Sequence, residues 1–286
     1  MPDLWSDLLS CLDLRLRPTS PATGGPQAGK QQTTRRSTMT VFEAPNQRIE
    51  HYRLFGGQLL GQFVMAAGRA CPGKVVKSLH VLFANEGKSD TPVYYIAQRQ
   101  QEGRTYAALT ITARQKRDVI ATATVSMHAP EPGRELQAPV AMPELPGPEF
   151  RRPIALMPWE TRSTEDLDAT QASPPDYELW MRTPEPEADV HAALVAYASD
   201  LSPIGTALRP VEGISQNDNP AAFTAATTSH SLWFHRALRT DEWLLLRHHS
   251  PLLAHGRCFA RGDVLTEDGT LVASFAQEGL LRFRPS

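Results

Sequence analysis

Residues 227–235, Thr-Thr-Ser-His-Ser-Leu-Trp-Phe-His, set four hydroxyls and two histidines around an apolar Leu-Trp-Phe. Hydroxyl and imidazole groups so close together could form a nucleophile and base, hold a reacting water, or only satisfy one another. Strict strand alternation divides them. Thr227, Ser229, Ser231 and Trp233 fall on one face and Thr228, His230, Leu232 and Phe234 on the other, unless a bulge intervenes. Thr227 is equally at home for its β-propensity, and His230 and His235 read first as satisfied strand residues. Two more polar residues are conspicuous among apolar neighbours. Asp200 closes the run VHAALVAYAS ahead of Leu-Ser-Pro, where it is either a turn-forming cap or a desolvated carboxylate, and the latter is a candidate base. Gln277 interrupts Val272, Ala273, Phe275 and Ala276, where a buried amide must find partners.

Other chemistries are excluded by what is missing. There is no Gly-x-Ser-x-Gly elbow, and Cys11, Cys71 and Cys258 lie far apart without CxxC spacing. Neither a disulfide framework nor a zinc site is expected, and no metal or cofactor is called for. The net charge of −2 over 286 residues carries no nucleic-acid footprint. No apolar run reaches the length of a membrane span. Asp3, Asp7 and Asp13 interrupt any secretory leader, and the final Arg-Phe-Arg-Pro-Ser is not a peroxisomal Ser-Lys-Leu address, so a cytoplasmic setting is expected.

The elements that must position these residues follow from periodicity. Leucines at 4, 8, 9, 12 and 16 predict one short amphipathic helix. Residues 18–38, rich in Pro, Gly, Thr and charge, predict a mobile insertion, and 38–44 a first strand. LFGGQLLGQFVMAAGRA (54–70) is apolar on nearly every side with small residues interleaved, which predicts a buried helix. At its start Gly56 and Gly57 serve close packing or, with Gln58, an oxygen contact at free backbone N–H groups. Strands are predicted at 75–83, 92–100, 105–115 and 118–128. The proline- and acid-rich stretch to 189 reads as a connection with one possible strand at 177–182. The order then recurs, with an Ala-rich helix at 190–201 and strands at 223–235, 242–251, 254–266 and 269–285. Setting His80 against His230 and Val119 against Leu271 gives offsets of 150 (230 − 80) and 152 (271 − 119), which suggests an internal duplication.

FGGQLLGQ (55–62), YASDL (197–201), SHSLWFHR (229–236), EWLLL (242–246), ARGDVLTEDGTLVAS (260–274) and AQEGLLR (276–282) together resemble the acyl-CoA thioesterase II family, TesB type. The resemblance implies an α+β tandem (double) hotdog, each half a curved antiparallel sheet wrapped around one central helix. The halves would be 1–130 and 190–286, joined by a linker region at 131–189. It implies hydrolysis of fatty acyl-CoA thioesters by a water held by Asp200, Thr227 and Gln277; beside that, Gly57 and Gln58 at the helix start and His230 are candidate substrate-binding residues. Acyl-CoA is then the partner, and a homo-oligomer is expected. Two departures stand out. Ser229 replaces an Asp of the family pattern, and Ala84-Asn85-Glu86-Gly87 replaces an Arg-Pro-Gly turn that would add positive charge near CoA phosphates. The alternatives are a non-catalytic or weakly active acyl-CoA-binding paralogue and, behind it, a hotdog hydratase, which would need a His close after Asp200.

Overall fold

A computed structural model describes residues 3–18, 39–49 and 53–284. The expected mobile insertion at 18–38 lies, apart from residue 18, outside the described residues. Helix α1 (Leu4–Leu12) starts on Asp3, whose carboxylate accepts the Trp5 N–H at 3.2 Å. Its last residue, Leu12, is four short of Leu16; Asp13 caps it and the chain turns into β1 (Arg15–Arg17). Then come β2 (Met39–Ala44), α2 (Gly56–Ala70), β3 (Val75–Phe83), β4 (Val93–Glu102), β5 (Tyr106–Gln115) and β6 (Asp118–His128). The 131–189 region contributes β7 (Glu160–Arg162) and β8 (Asp176–Arg182). Helices α3 (His191–Ser199) and α4 (Pro203–Leu208) precede β9 (Phe223–Phe234), β10 (Leu244–Ala254), β11 (Arg257–Thr266) and β12 (Leu271–Phe283).

All twelve strands form one antiparallel sheet in the order β1-β2-β4-β5-β6-β3-β9-β12-β11-β10-β8-β7. The order is a mirror about the β3–β9 pair, with β6 answering β12, β5 answering β11, β4 answering β10 and β2 answering β8. The strand at 177–182 thus has a place in the sheet, because alternate Tyr177, Leu179 and Met181 are buried despite the prolines around them. Joining β3 to β9 covers an edge that either half-sheet alone would expose.

One apolar core runs through both halves, from Leu8 and Phe63 to Val264 and Phe275. Helix α2 lies against β2 to β6, and α3 packs on α2. The predicted helix at 190–201 breaks after Ser199. Pro203 has no N–H to continue it, yet suits the first turn of a new helix, so α4 starts there and lies against β10 to β12. His80 and His230, set against each other in the sequence, occupy opposite faces: His80 is exposed, whereas His230 is 0% exposed. A one-residue slip on a strand is enough to make that difference.

Candidate active site

Along most of its length β9 follows β12 in simple register, His230 opposite Gln277 and Ser229 opposite Glu278. The next pair is Thr227 with Gly279, which leaves Thr228 as the extra residue of a β-bulge. The Thr228 hydroxyl fills the gap by donating to the Glu278 carbonyl at 2.9 Å. This bulge overturns the alternation read from the sequence. Thr227 turns to the same side as His230, and both touch Gln277 there. The Gln277 amide donates to Thr227 Oγ1 at 3.1 Å, and its carbonyl oxygen lies 2.7 Å from His230 Nδ1.

Asp200 meets this cluster from the end of α3. The Thr227 hydroxyl donates to Asp200 Oδ1 at 2.9 Å. A backbone N–H, that of Gly57, also reaches the carboxylate. Helix α2 begins at Phe55 without any side-chain cap, so Asp200 caps a helix from the other half of the chain, at the positive end of its dipole. The two glycines permit this approach. A Cβ on Gly56 would stand 2.5 Å from Asp200 Oδ2, and one on Gly57 would stand 2.3 Å from the Tyr197 carbonyl. Both sequence readings of Asp200, cap and desolvated carboxylate, therefore describe the same side chain.

Asp200 is 7% exposed and no cation pairs with it. Burial lifts its pKa from 3.8 to about 7, against the pull of the Thr227 and Gly57 hydrogen bonds. A carboxylate in that range can take a proton and return it near neutral pH. His230 moves the opposite way. Burial lowers it to about 4, with the Gln277 contact opposing, so the ring is neutral. Among the described residues no group of His, Cys, Asp and Glu is placed to hold a metal ion.

The structure thus brings Asp200, Thr227, Gln277, Gly57 and His230 together, whereas the Gln58 side chain makes its hydrogen bonds elsewhere. His230 is sealed behind Gln277, with Nε2 3.0 Å from Ser199 Oγ and its ring stacked on Phe275. The Gln58 side-chain carbonyl accepts the Gln47 N–H and its amide donates to Asn46 and Gln62. Tyr95 donates to Gln62 and Tyr197 to Gln47, so this buried network fastens residues 46 and 47 to α2 and α3. Ser199, Gln47 and Tyr197 escaped the sequence reading. Tyr197 had a visible signal, a phenol in an otherwise apolar helix that must find a partner when buried. Ser229, where the family pattern has an acid, stands opposite Glu278 on β12 and Leu82 on β3. In the departing turn, Asn85 donates to the Val119 carbonyl at 2.8 Å and Glu86 pairs with Arg53 at 2.9 Å.

Two family models together cover residues 45–281 of this chain: acyl-CoA thioesterase N-terminal domain over residues 45–128 and acyl-CoA thioesterase C-terminal domain over residues 129–281. Acyl-CoA thioesterase 2 of Haemophilus influenzae is 31% identical, the match covering 85% of this chain and 92% of that protein. Among solved structures, an acyl-CoA thioesterase II TesB2 from Mycobacterium marinum is 27% identical with a TM-score of 0.70, over 98% of each chain. A protein with a hot dog fold from Alicyclobacillus acidocaldarius is 18% identical with a TM-score of 0.69, over 98% of each chain, and shares the fold alone.

Proposed function

The chain belongs to the TesB-type acyl-CoA thioesterase II family and is a thioester hydrolase; from that premise we propose that Asp200 activates the attacking water and that Thr227 and Gln277 position it. The observation that carries this reading is the unbroken contact from Gln277 to Thr227 to a buried Asp200 without a counter-ion. The water oxygen bonds to the thioester carbonyl carbon while its proton passes to the Asp200 carboxylate. The C–S bond then breaks, and the departing CoA sulfur recovers that proton. The products are a free fatty acid and CoA. Backbone N–H groups at the start of α2, beyond the Gly57 N–H that Asp200 takes, are suited to hold the transient oxyanion.

The mirrored strand order supports reading the chain as a double hotdog, with α2 in the first half and the broken pair α3–α4 serving the second. In that reading residues 1–130 and 190–286 are the halves and 131–189 joins them, lending β7 and β8 to the second sheet. A homo-oligomer in the cytoplasm fits the same reading. No helix among the described residues is long and apolar enough to cross a membrane.

The test is thiol release from acyl-CoA by wild type and by Asp200→Asn. The wild type should release CoA, and the variant should lose on the order of 10²–10⁴ in rate while keeping its fold. Near-normal turnover by Asp200→Asn would remove the carboxylate from its assigned role. A wild type that binds acyl-CoA without releasing thiol would be a binding paralogue or a hydratase.

A further inference from the structure

Five side chains from three elements stand in one line: Ser199, His230, Gln277, Thr227 and Asp200. The separations along it are 3.0, 2.7, 3.1 and 2.9 Å. The direction of each hydrogen bond follows from the inventory of donors. An ionised carboxylate only accepts, so Thr227 spends its one hydrogen on Asp200. Its oxygen must then receive from Gln277, which turns the amide nitrogen toward Thr227 and the carbonyl oxygen toward His230. A carbonyl oxygen only accepts, so Nδ1 carries the ring proton. A neutral imidazole has one such proton, so Nε2 is bare and must accept from Ser199. The Ser199 hydroxyl also lies 2.9 Å from the Ala196 carbonyl, but its single hydrogen serves one of the two. Giving it to Ala196 would place the ring proton on Nε2 and set the Nδ1 lone pair against the Gln277 oxygen at 2.7 Å.

We propose that His230 and Ser199 are positioning residues whose hydrogen bonds hold the Gln277 amide turned toward Thr227. This rests on the assignment of Gln277 to the water. An amide is nearly symmetric in shape, and packing alone does not choose between its two orientations. The hydrogen-bonding sense at Nδ1 does choose. Phe275, stacked on the ring at 6.0 Å between centroids and 10° between planes, keeps the imidazole in the plane this requires. His230 is 0% exposed, so in this proposal it acts through Gln277.

The experiment combines a spectrum with kinetics. In wild-type protein carrying ¹⁵N-histidine, His230 (identified by the signal lost in His230→Asn) should show a protonated Nδ1 and a bare Nε2. His230→Leu should lower kcat roughly 10- to 100-fold with KM within about twofold, the scale expected when a reacting group is slightly misplaced. In His230→Asn the side-chain amide N–H falls where the Nδ1–H stood, and it should restore most of that loss. Ser199→Ala should leave the ring in mixed tautomers and lower kcat by a few-fold. The opposite tautomer in wild type, or wild-type kcat in a folded His230→Leu, would overturn the proposal. If His230→Leu does not fold, the wild-type spectrum decides alone. The two readings separate cleanly. Should Asp200→Asn stay active while His230 is protonated at Nδ1, the base assignment falls and the positioning chain stands. Should Asp200→Asn be dead while His230→Leu works like wild type, the reverse holds.

Discussion

The two half-sheets share a bulge and fill it with opposite chemistry. In the first, Val76 faces Met127 and Ser78 faces Ser126, leaving Lys77 as the extra residue; in the second, Thr227 faces Gly279 and Ser229 faces Glu278, leaving Thr228. The paired residues just before the bulges are 151 apart (227 − 76), and their partners 152 apart (279 − 127). At the same offsets Leu79 answers His230 (230 − 79 = 151) and Val125 answers Gln277 (277 − 125 = 152), and all four are buried. The first half shows that this backbone closes well over Val, Leu and Val. Thr, His and Gln in the second half are thus a departure from the packing the fold would accept, and they sit where Asp200 arrives.

Carrying the first half's chemistry into the second is the hardest test of that contrast. Thr227→Val, His230→Leu and Gln277→Val combined should cut thiol release by about 10², leaving Asp200 as a base whose water nothing positions. Stability should hold or rise, because replacing both members of a buried polar pair with apolar groups is often neutral or favourable. No group is orphaned: Ser199 can turn its hydrogen to the Ala196 carbonyl, 2.9 Å away, and Asp200 keeps the Gly57 N–H. Thermal unfolding checks the second part. A midpoint lower by more than about 10 °C, several kcal/mol for a chain of this size, would mean the polar cluster holds the second half together.

A narrower contrast lies within α2. Gly56 presses against Asp200, whereas Gly68 has nothing within 4 Å of where its Cβ would be. Gly56→Ala forces a methyl to within 2.5 Å of Asp200 Oδ2, and the carboxylate must swing away. Activity should fall about 10²-fold, as for other displacements near 1 Å. Gly68→Ala should leave turnover alone and stabilise the helix by about 0.5–1 kcal/mol. Equal kinetics for the two variants would show that the approach of α2 to Asp200 is incidental.

How far the sequence reveals this site depends on which interactions are local. Strands β3 and β6 begin and end where their alternation predicts, and α2 is legible from its unbroken apolar surface. Asp200 and Gln277 stand out as polar residues in apolar runs. Thr227 does not. Its side is decided by the Thr228 bulge, and a bulge depends on a carbonyl fifty residues away, Glu278, which no alternation pattern contains. Nor does the run VHAALVAYAS reveal that its closing Asp caps a helix starting at residue 56. The Gln47 and Gln62 bonds are hidden for the same reason, since Gln47 meets Tyr197, and Gln62 meets Cys11 and Tyr95, all distant in the chain.

The pH dependence tests the asymmetry at smaller scale. Asp200 must be ionised to accept a proton, so kcat/KM should climb as pH rises through about 7 and flatten above it. At one pH unit below that midpoint the loss is about tenfold. The linked stability runs the other way. The folded pKa lies above the unfolded value of 3.8, so the protonated form favours the fold, and that advantage fades as pH rises from about 3.8 through about 7. At about 1.4 kcal/mol per pH unit, the ionised carboxylate costs the fold roughly 4 kcal/mol. Asp200→Asn should therefore unfold at a higher temperature than wild type at pH 8, and at a similar temperature near pH 4. An equal midpoint at pH 8 would mean that Asp200 is not desolvated.

The smallest effect belongs to the bulge residues themselves. Lys77 extends to the Phe234 carbonyl at 3.0 Å, on the strand next door, while Thr228 closes its own bulge on Glu278 at 2.9 Å. Thr228→Val keeps the shape and removes one hydrogen bond, which costs about 1 kcal/mol in stability. It also loosens the turn that aims Thr227 at Asp200, so kcat should fall a few-fold. Lys77→Met removes a hydrogen bond of similar length from a bulge whose inward residue is Val76, and kcat should not change. The pair isolates aim from stability, since both variants lose one bond to a carbonyl but only one bulge points a hydroxyl at the carboxylate. Matching kinetics in the two would leave the second bulge as a feature of the fold, without a part in placing Thr227.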